Sequence, residues 1–414
     1  MSNTKRVVLT GRAIVSPLGV GLEAHWTALV QGRVAVARPE RTAALGLPAT
    51  RAASVTAEAI QPHLGRLQRK QQKLYNRATL LGMLGASLAM EDAGLAPGAG
   101  NAHRLGVVLG VNVLSWDLGS MTQYLLASEA ADGSGVLDMS RANRFCMHNI
   151  NPLDFSLKTL PNLSAGHMAI AHEAQGMCRA LTEGSVGGAH AIGEAYRAIA
   201  AGELDATLCG GTDALLEEVV FAVYDGAGFL ASDDGRRAGF VAAEGSGLLV
   251  LEEAERARRR GATVYGEVLG FATAAGDGEI AARQDPTRLA QRIAGAVESA
   301  LETAGRLPDV VSLHGDGLSP VDAVEEAALT KVLGSRASGT ALLRMKKAHG
   351  DMGAASGAVE FLACSALLQH AIIPSIVSIE PSIRAVAPTH ALILSLGQFG
   401  EAAALVLGPF DAAA

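Results

Sequence analysis

The chain is short of aromatic residues, cysteine, positive charge and long apolar runs, and each shortage removes a class of answer. Aromatics are 4% of its 414 residues, whereas 49% are hydrophobic and 48 are glycine. A core of this kind is built from small aliphatic side chains, which suits close packing of helices on sheets. The four cysteines, Cys146, Cys178, Cys209 and Cys364, fit neither a zinc site nor a thioredoxin-type pair. They read as reduced, buried residues of a cytosolic protein. No metal and no cofactor is expected. No apolar run reaches the ~18 residues of a membrane helix, so no membrane span is expected. Lys5 and Arg6 run straight into an apolar strand rather than a leader, which predicts a cytoplasmic protein. Net charge is −7 and no basic stripe stands out, which argues against nucleic acid as a partner. Two local basic segments remain, Arg66 to Lys73 and Arg256 to Arg260. Each is either a dock for an acidic carrier protein or a solvated helix face.

What is present is an alternation of strands and helices. Apolar runs at 6–11, 105–110, 205–209, 240–252, 264–270, 310–313, 390–396 and 402–407 read as strands. Helical spacing covers 77–94, 287–305, 321–334 and 353–370. This predicts an α/β protein with largely parallel sheets covered by helices, in two similar halves, 1–253 and 254–414. Residues 112–160 break the pattern with short helical pieces, and so long an excursion usually serves function or an interface.

The most suggestive stretch is Thr182-Glu183-Gly184-Ser185-Val186-Gly187-Gly188-Ala189-His190. Glycines flank Ser185, and a helix follows with Val186, Ala189, Ile192, Ala195 and Ile199 on one face. A hydroxyl at such a helix start is either a nucleophile beside a partly positive helix end or an N-cap. Two histidines also fall in glycine turns at strand ends. His314 ends the apolar run Val310–Leu313, and His349 stands in Lys347-Ala348-His349-Gly350-Asp351. A third turn is Gly397-Gln398-Phe399-Gly400. A hydroxyl and two imidazoles suit acyl transfer, with one imidazole assisting the nucleophile and both holding an oxyanion.

On these residues the chain resembles a β-ketoacyl synthase of the thiolase fold. The likeness covers Val7–Gly11 with Ser16–Gly19, Arg104–Gly110, Asn162–His167, Gly188–Ala201, Asp205–Asp213 and Gly239–Leu251. It continues through His314-Gly315 with Asp322 and Glu325, and His349 to Glu360. The resemblance implies a layered α-β-α-β-α architecture. It also implies a site of one cysteine, carrying the acyl chain as a thioester, and two histidines that promote decarboxylation of a malonyl-carrier thioester. Ser185 falls on the cysteine, and His314 and His349 fall on the histidines. The family's lysine, five residues before the second histidine, falls on Arg344. The loop of Gln398, Phe399 and Gly400 is expected at the acyl pocket, where the family has a gating phenylalanine. The family's Thr-Ala pair before the cysteine is Glu183-Gly184 here, and the approach to the Gly-Phe-Val strand is shortened to residues 233–238.

Serine is a weak nucleophile without a placed base, whereas cysteine ionises readily. The pattern is similar to the chain-length-factor subunit of type II polyketide synthases, which pairs with an active ketosynthase. The implied partners are that ketosynthase, in a heterodimer, and an acyl carrier protein bearing malonyl or polyketide chains. That branch often has glutamine at the nucleophile position, and this chain does not. The alternative is an acyltransferase or ketosynthase in its own right, using Ser185 with His314 and His349.

Overall fold

A computed structural model describes residues 4–98, 100–112, 118–151, 157–379 and 387–411. The first half contributes strands β1 (Val7–Ser16), β2 (Leu105–Gly110), β3 (Cys178–Leu181), β4 (Ala206–Ala214) and β5 (Ala242–Glu253). The second contributes β6 (Gly266–Ala274), β7 (Val310–Ser312), β8 (Ala341–Leu343), β9 (Ala391–Leu396) and β10 (Ala402–Gly408). Their spatial order is β3-β2-β4-β5-β1 and β8-β7-β9-β10-β6, the same permutation twice. The two sets join at their inner edges, where Val8 pairs with Glu267 and Leu9 with Gly266.

The helices are α1 (Leu22–Val30), α2 (Arg77–Asp92), α3 (Leu118–Ser128), α4 (Met139–Asn149), α5 (Asn162–Ala171), α6 (Gly187–Ala200), α7 (Glu218–Gly226), α8 (Pro286–Ala304), α9 (Ser319–Leu333) and α10 (Ser356–His370). Helix α2 packs on β1, β4 and β5, while α8 packs on β6 and β10. Helices α6 and α10 lie against each other, α6 on β2 and β4, and α10 on β5 and β9. The order of layers is therefore helix, sheet, helix, sheet, helix, as expected.

The two central helices are buried deeply, and their sequences say why that is tolerable. Twelve consecutive residues of α10, Ser356 to Leu367, are buried. In α6 the buried residues are Gly, Ala and Ile, and Gly188 is required because a Cβ there would overlap the carbonyl oxygen of Ala354. Small residues let two backbones approach, which places the starts of both helices side by side.

The expectation of largely parallel sheets needs correction. β2 runs parallel to β3 and β4, and β7 to β8 and β9. The pairs β4/β5, β5/β1, β9/β10, β10/β6 and β1/β6 are antiparallel. The reason is local for β9 and β10: five residues, Gly397 to Glu401, join them, too few for a parallel crossover.

The segment 118–151 forms a helical hairpin of α3 and α4, stapled by a bridge between Glu129 and Leu137. Asp138 caps α4 by accepting from the backbone N–H of Ser140 and Arg141. The cysteines divide. Cys209 and Cys364 are buried, but Cys178 is exposed on edge strand β3 and Cys146 is half-buried. Among the described residues no helix is long and apolar enough to cross a membrane.

Candidate functional site

Ser185 lies in a single 3-10 turn, Gly184–Val186, directly before α6. It is not an N-cap, since neither that turn nor α6 has a side-chain cap bond. Among the described residues its hydroxyl has no hydrogen-bond partner, while its carbonyl accepts from Ser395 Oγ at 3.2 Å. Gly184 holds φ +60, a conformation that favours glycine. Glu183 bonds His190 Nδ1 at 2.5 Å, one turn into α6, which ties the turn before Ser185 to the helix.

A small cavity of about 20 Å³ joins Ser185 to His314, Asp316 and Gln398, with Phe229, Phe240 and Leu396 in its wall. That is roughly room for one water. The structure thus brings Ser185, His314 and Gln398 together. It does not bring His349, which is absent from the cavity wall. His349 Nδ1 is 2.8 Å from the carbonyl of Gly350, and its ring lies 5.6 Å from that of His25. Nε2 is buried with no partner. Burial pushes His349 down to about 4, and the Lys346 charge adds to this, so the ring is neutral. Phe399 is exposed rather than facing the cavity, and Gly400 packs on Gln284.

His314 follows β7 and is fixed from several sides. Glu325 accepts from the backbone N–H of His314 at 2.6 Å and of Gly315 at 3.1 Å. Lys346 Nζ donates to the His314 carbonyl at 2.6 Å and lies 3.3 Å from Nδ1. Asp316 Oδ2 is 3.5 Å from Nε2. These partners assign the tautomer: Nδ1 accepts and Nε2–H points to the carboxylate. Burial and Lys346 oppose protonation of the ring, but Asp316 and Asp351 outweigh them and raise it above the ordinary histidine value.

The lysine beside the site is Lys346, not Arg344. Lys346 Nζ also donates to Glu360 Oε1 at 2.9 Å, and both side chains are buried. Burial works against its charge, yet Glu360 and Asp351 hold its pKa above the ordinary lysine value. Arg344 instead pairs with Glu326 and Asp322 on α9. Both residues fall within a run of basic side chains, and only packing distinguishes them.

Asp351 carries no motif that singles it out in the sequence, yet it is 1% exposed and central. Its Oδ1 accepts from Gly353 N–H at 2.7 Å and Ser356 Oγ at 3.2 Å, while Oδ2 is buried without a partner. Asp213 lies nearby, bonded by Ala354 N–H and by Asn112. Burial pushes Asp213 up to about 6, and Asp351 adds to that. Carboxyls crowd the site: buried Asp351, Glu325 and Glu360 and half-buried Asp316 lie around the Lys346 ammonium and the His314 ring. Among the described residues no group of three or more His, Cys, Asp or Glu is placed to hold a metal ion.

Residues 4–257 match the model of the beta-ketoacyl synthase N-terminal domain, and residues 265–380 match that of its C-terminal domain. The chain belongs to the beta-ketoacyl synthase family. A tetracenomycin polyketide synthase ketoacyl synthase alpha subunit from Streptomyces glaucescens is 31% identical over 91% of this chain and 88% of its own length. A putative polyketide beta-ketoacyl synthase 1 from Streptomyces halstedii is 33% identical, covering 91% and 89%. Among solved structures, a type II polyketide synthase ketosynthase–acyl-carrier-protein complex, AntDE:AntF, superposes with TM-score 0.80 at 24% identity, covering 99% of this chain and all of that one. The ishigamide ketosynthase/chain length factor gives 0.77 at 24% identity, covering 99% of this chain and all of that one. At that identity the superpositions establish the thiolase-like fold.

Proposed function

We propose that this chain is a non-condensing subunit of a type II polyketide or fatty-acid-type synthase, a chain length factor that pairs with an active ketosynthase. The observation that supports this best is the chemistry of the buried site. The family's lysine and second histidine are five residues apart, and five residues beyond Lys346 stands Asp351. A hydroxyl would then occupy the thiol position and a carboxylate the position of one imidazole. His314 alone remains, with one ring nitrogen facing Lys346 and the other Asp316. Condensation needs donors aimed at a developing oxyanion. Burial works against the charge on Asp316, yet His314 holds its carboxyl below the usual range, and that charge opposes both the oxyanion and the carboxylate of a malonyl group.

The surface supports a partner. Among the described residues, nine of the fifteen large apolar side chains that are exposed lie between 118 and 170, including Leu126 at 68%, Met139 at 64% and Met147 at 83%. Such a concentration marks an interaction face. The halves 1–253 and 254–414 would form one body, and the α3–α4 hairpin would meet the ketosynthase across a face of more than ~2,000 Å², helping to wall its acyl tunnel. The carrier would dock on Arg66 to Lys73. The other basic segment is less suited, because Arg256 and Arg260 both pair with the buried Glu252. Relatives named as polyketide synthase subunits, and a neighbour titled as a complex with an acyl carrier protein, agree with these partners. A cytoplasmic location accords with this role.

The second reading, an acyl-enzyme on Ser185, is favoured by one fact: its hydroxyl shares a cavity with His314 and has no competing bond. Intact-mass analysis separates the two. The chain, its ketosynthase and acyl- or malonyl-loaded carrier are mixed, with Ser185→Ala in parallel. Acyl mass on the ketosynthase alone is expected. An adduct on this chain that vanishes in Ser185→Ala would establish the serine acyl-enzyme instead.

A further inference from the structure

The start of the basic segment stands away from the C-terminal half of α2, and a cavity of about 610 Å³ lies between them. It shares no residue with the cavity at Ser185. Met83, Ser87 and Met90 of α2 form one side, and Leu67 and Gln71 of the segment form the other. Leu95 to Pro97, from the turn after α2, and His172, just after α5, complete the lining. A space of this size, mostly apolar with a few polar groups, suits a small molecule.

The segment is held in place across the cavity. Arg66 pairs with Glu91 of α2, and each cancels the charge of the other at the rim. Gln72 Nε2 donates to the carbonyls of Leu64 at 3.1 Å and Leu67 at 2.9 Å, which fixes the turn that carries Leu67.

His172 is the unusual member of the lining. Only 8% of it is exposed, and its Nδ1 is buried without a partner. Among the described residues its Nε2 has no partner either. Its backbone, by contrast, is satisfied: the N–H donates to the Met168 carbonyl at 3.1 Å, and the carbonyl accepts from Gly98 at 3.4 Å. Burial holds the ring below the ordinary histidine pKa, so it is neutral and offers one donor and one acceptor. A buried polar group left unpaired is destabilising, and here it borders a space that could hold its partner.

We infer that the cavity under the basic segment is a binding site for a neutral small molecule with an apolar body and one hydroxyl or carbonyl group, which bonds to His172. The two methionines and Leu67 and Leu95 take the apolar body. A carboxylate is disfavoured, because Arg66 is already paired and the imidazole is neutral. This site does not depend on the non-condensing reading.

The test uses 2-naphthol as the probe, bound to the full chain and measured by equilibrium dialysis. Naphthalene keeps the rings without the hydroxyl, and 2-naphthoate puts a carboxylate in its place. The naphthol should bind about fivefold to tenfold more tightly than either. His172→Phe keeps a ring but removes both nitrogens, and should weaken the naphthol about fivefold while leaving naphthalene within about twofold. Ser87→Phe fills the cavity from the side of α2 and should abolish binding of both, which keeps the test valid if His172→Phe folds poorly. Bound naphthol should also slow hydrogen exchange at the amides of 66–73 and 171–172 and leave 184–186 unchanged.

No binding of the naphthol overturns the site, and so does affinity that survives Ser87→Phe or protection that appears elsewhere. Equal affinity for all three probes, or equal loss of naphthol and naphthalene in His172→Phe, overturns the role of the imidazole. Chain extension is not read in any of these measurements, so their failure leaves the proposed function standing.

Discussion

Ser185 carries the oxygen of a nucleophile without the surroundings of one. Restoring the thiol alone should therefore restore little. Ser185→Cys is expected to leave decarboxylation of malonyl-carrier protein at background, because Asp351 remains a buried carboxylate with an unpartnered oxygen. Ser185→Cys with Asp351→His should raise carbon dioxide release above either single variant. Full activity from the cysteine alone would refute the role given to Asp351. His349 makes a different prediction, about stability. A base whose native pKa is depressed contributes stability above its unfolded value and loses it as pH falls. Here the window runs from 6.5 down to about 4, and the full contribution is about 3 kcal/mol. His349→Asn should flatten the acid limb of a melting-temperature profile across that window, and an unchanged slope would contradict the buried neutral ring.

The Lys346–Glu360 pair links the β8 turn to the central helix α10. With both side chains buried, removing one leaves an uncompensated charge. Lys346→Met should cost about 3–5 kcal/mol in denaturant unfolding, and adding Glu360→Gln should recover much of it. The α3–α4 hairpin behaves oppositely. Leu126→Asp or Met147→Asp should leave unfolding unchanged within about 0.5 kcal/mol, yet weaken co-elution with a ketosynthase. Much of this level is legible in the sequence. Apolar periodicity locates eight of these ten strands and the helices α2, α6, α8, α9 and α10, and glycine turns locate Ser185 and His314. Strand direction is not legible, because pairing of β5 with β1 and β4 depends on contacts distant in sequence. Nor is the true partner of His314. Arg344, Lys346 and Lys347 look alike until one of them is buried, and only packing shows that Lys346 meets His314. Asp316 has no motif to mark it, since its importance comes only from what it touches.

At the scale of the molecule, the two halves repeat a strand order and lay their central helices together, so one buried site lies where both helix starts meet. The resemblance implies that the family places a cysteine and two histidines there, around a thioester. On the proposed reading this chain keeps the scaffold and alters the chemistry, with a hydroxyl, several buried carboxyls, a water-sized cavity, and an apolar hairpin exposed on the surface. A protein built in this way contributes shape to an assembly more readily than a covalent step. The most direct measurement is reconstitution with a ketosynthase it binds, malonyl-loaded carrier protein and product analysis by mass. The account predicts no extended chain from this protein alone, product when both are present, and the same product with Ser185→Ala. Chain extension by this protein alone, abolished in Ser185→Ala, would contradict it.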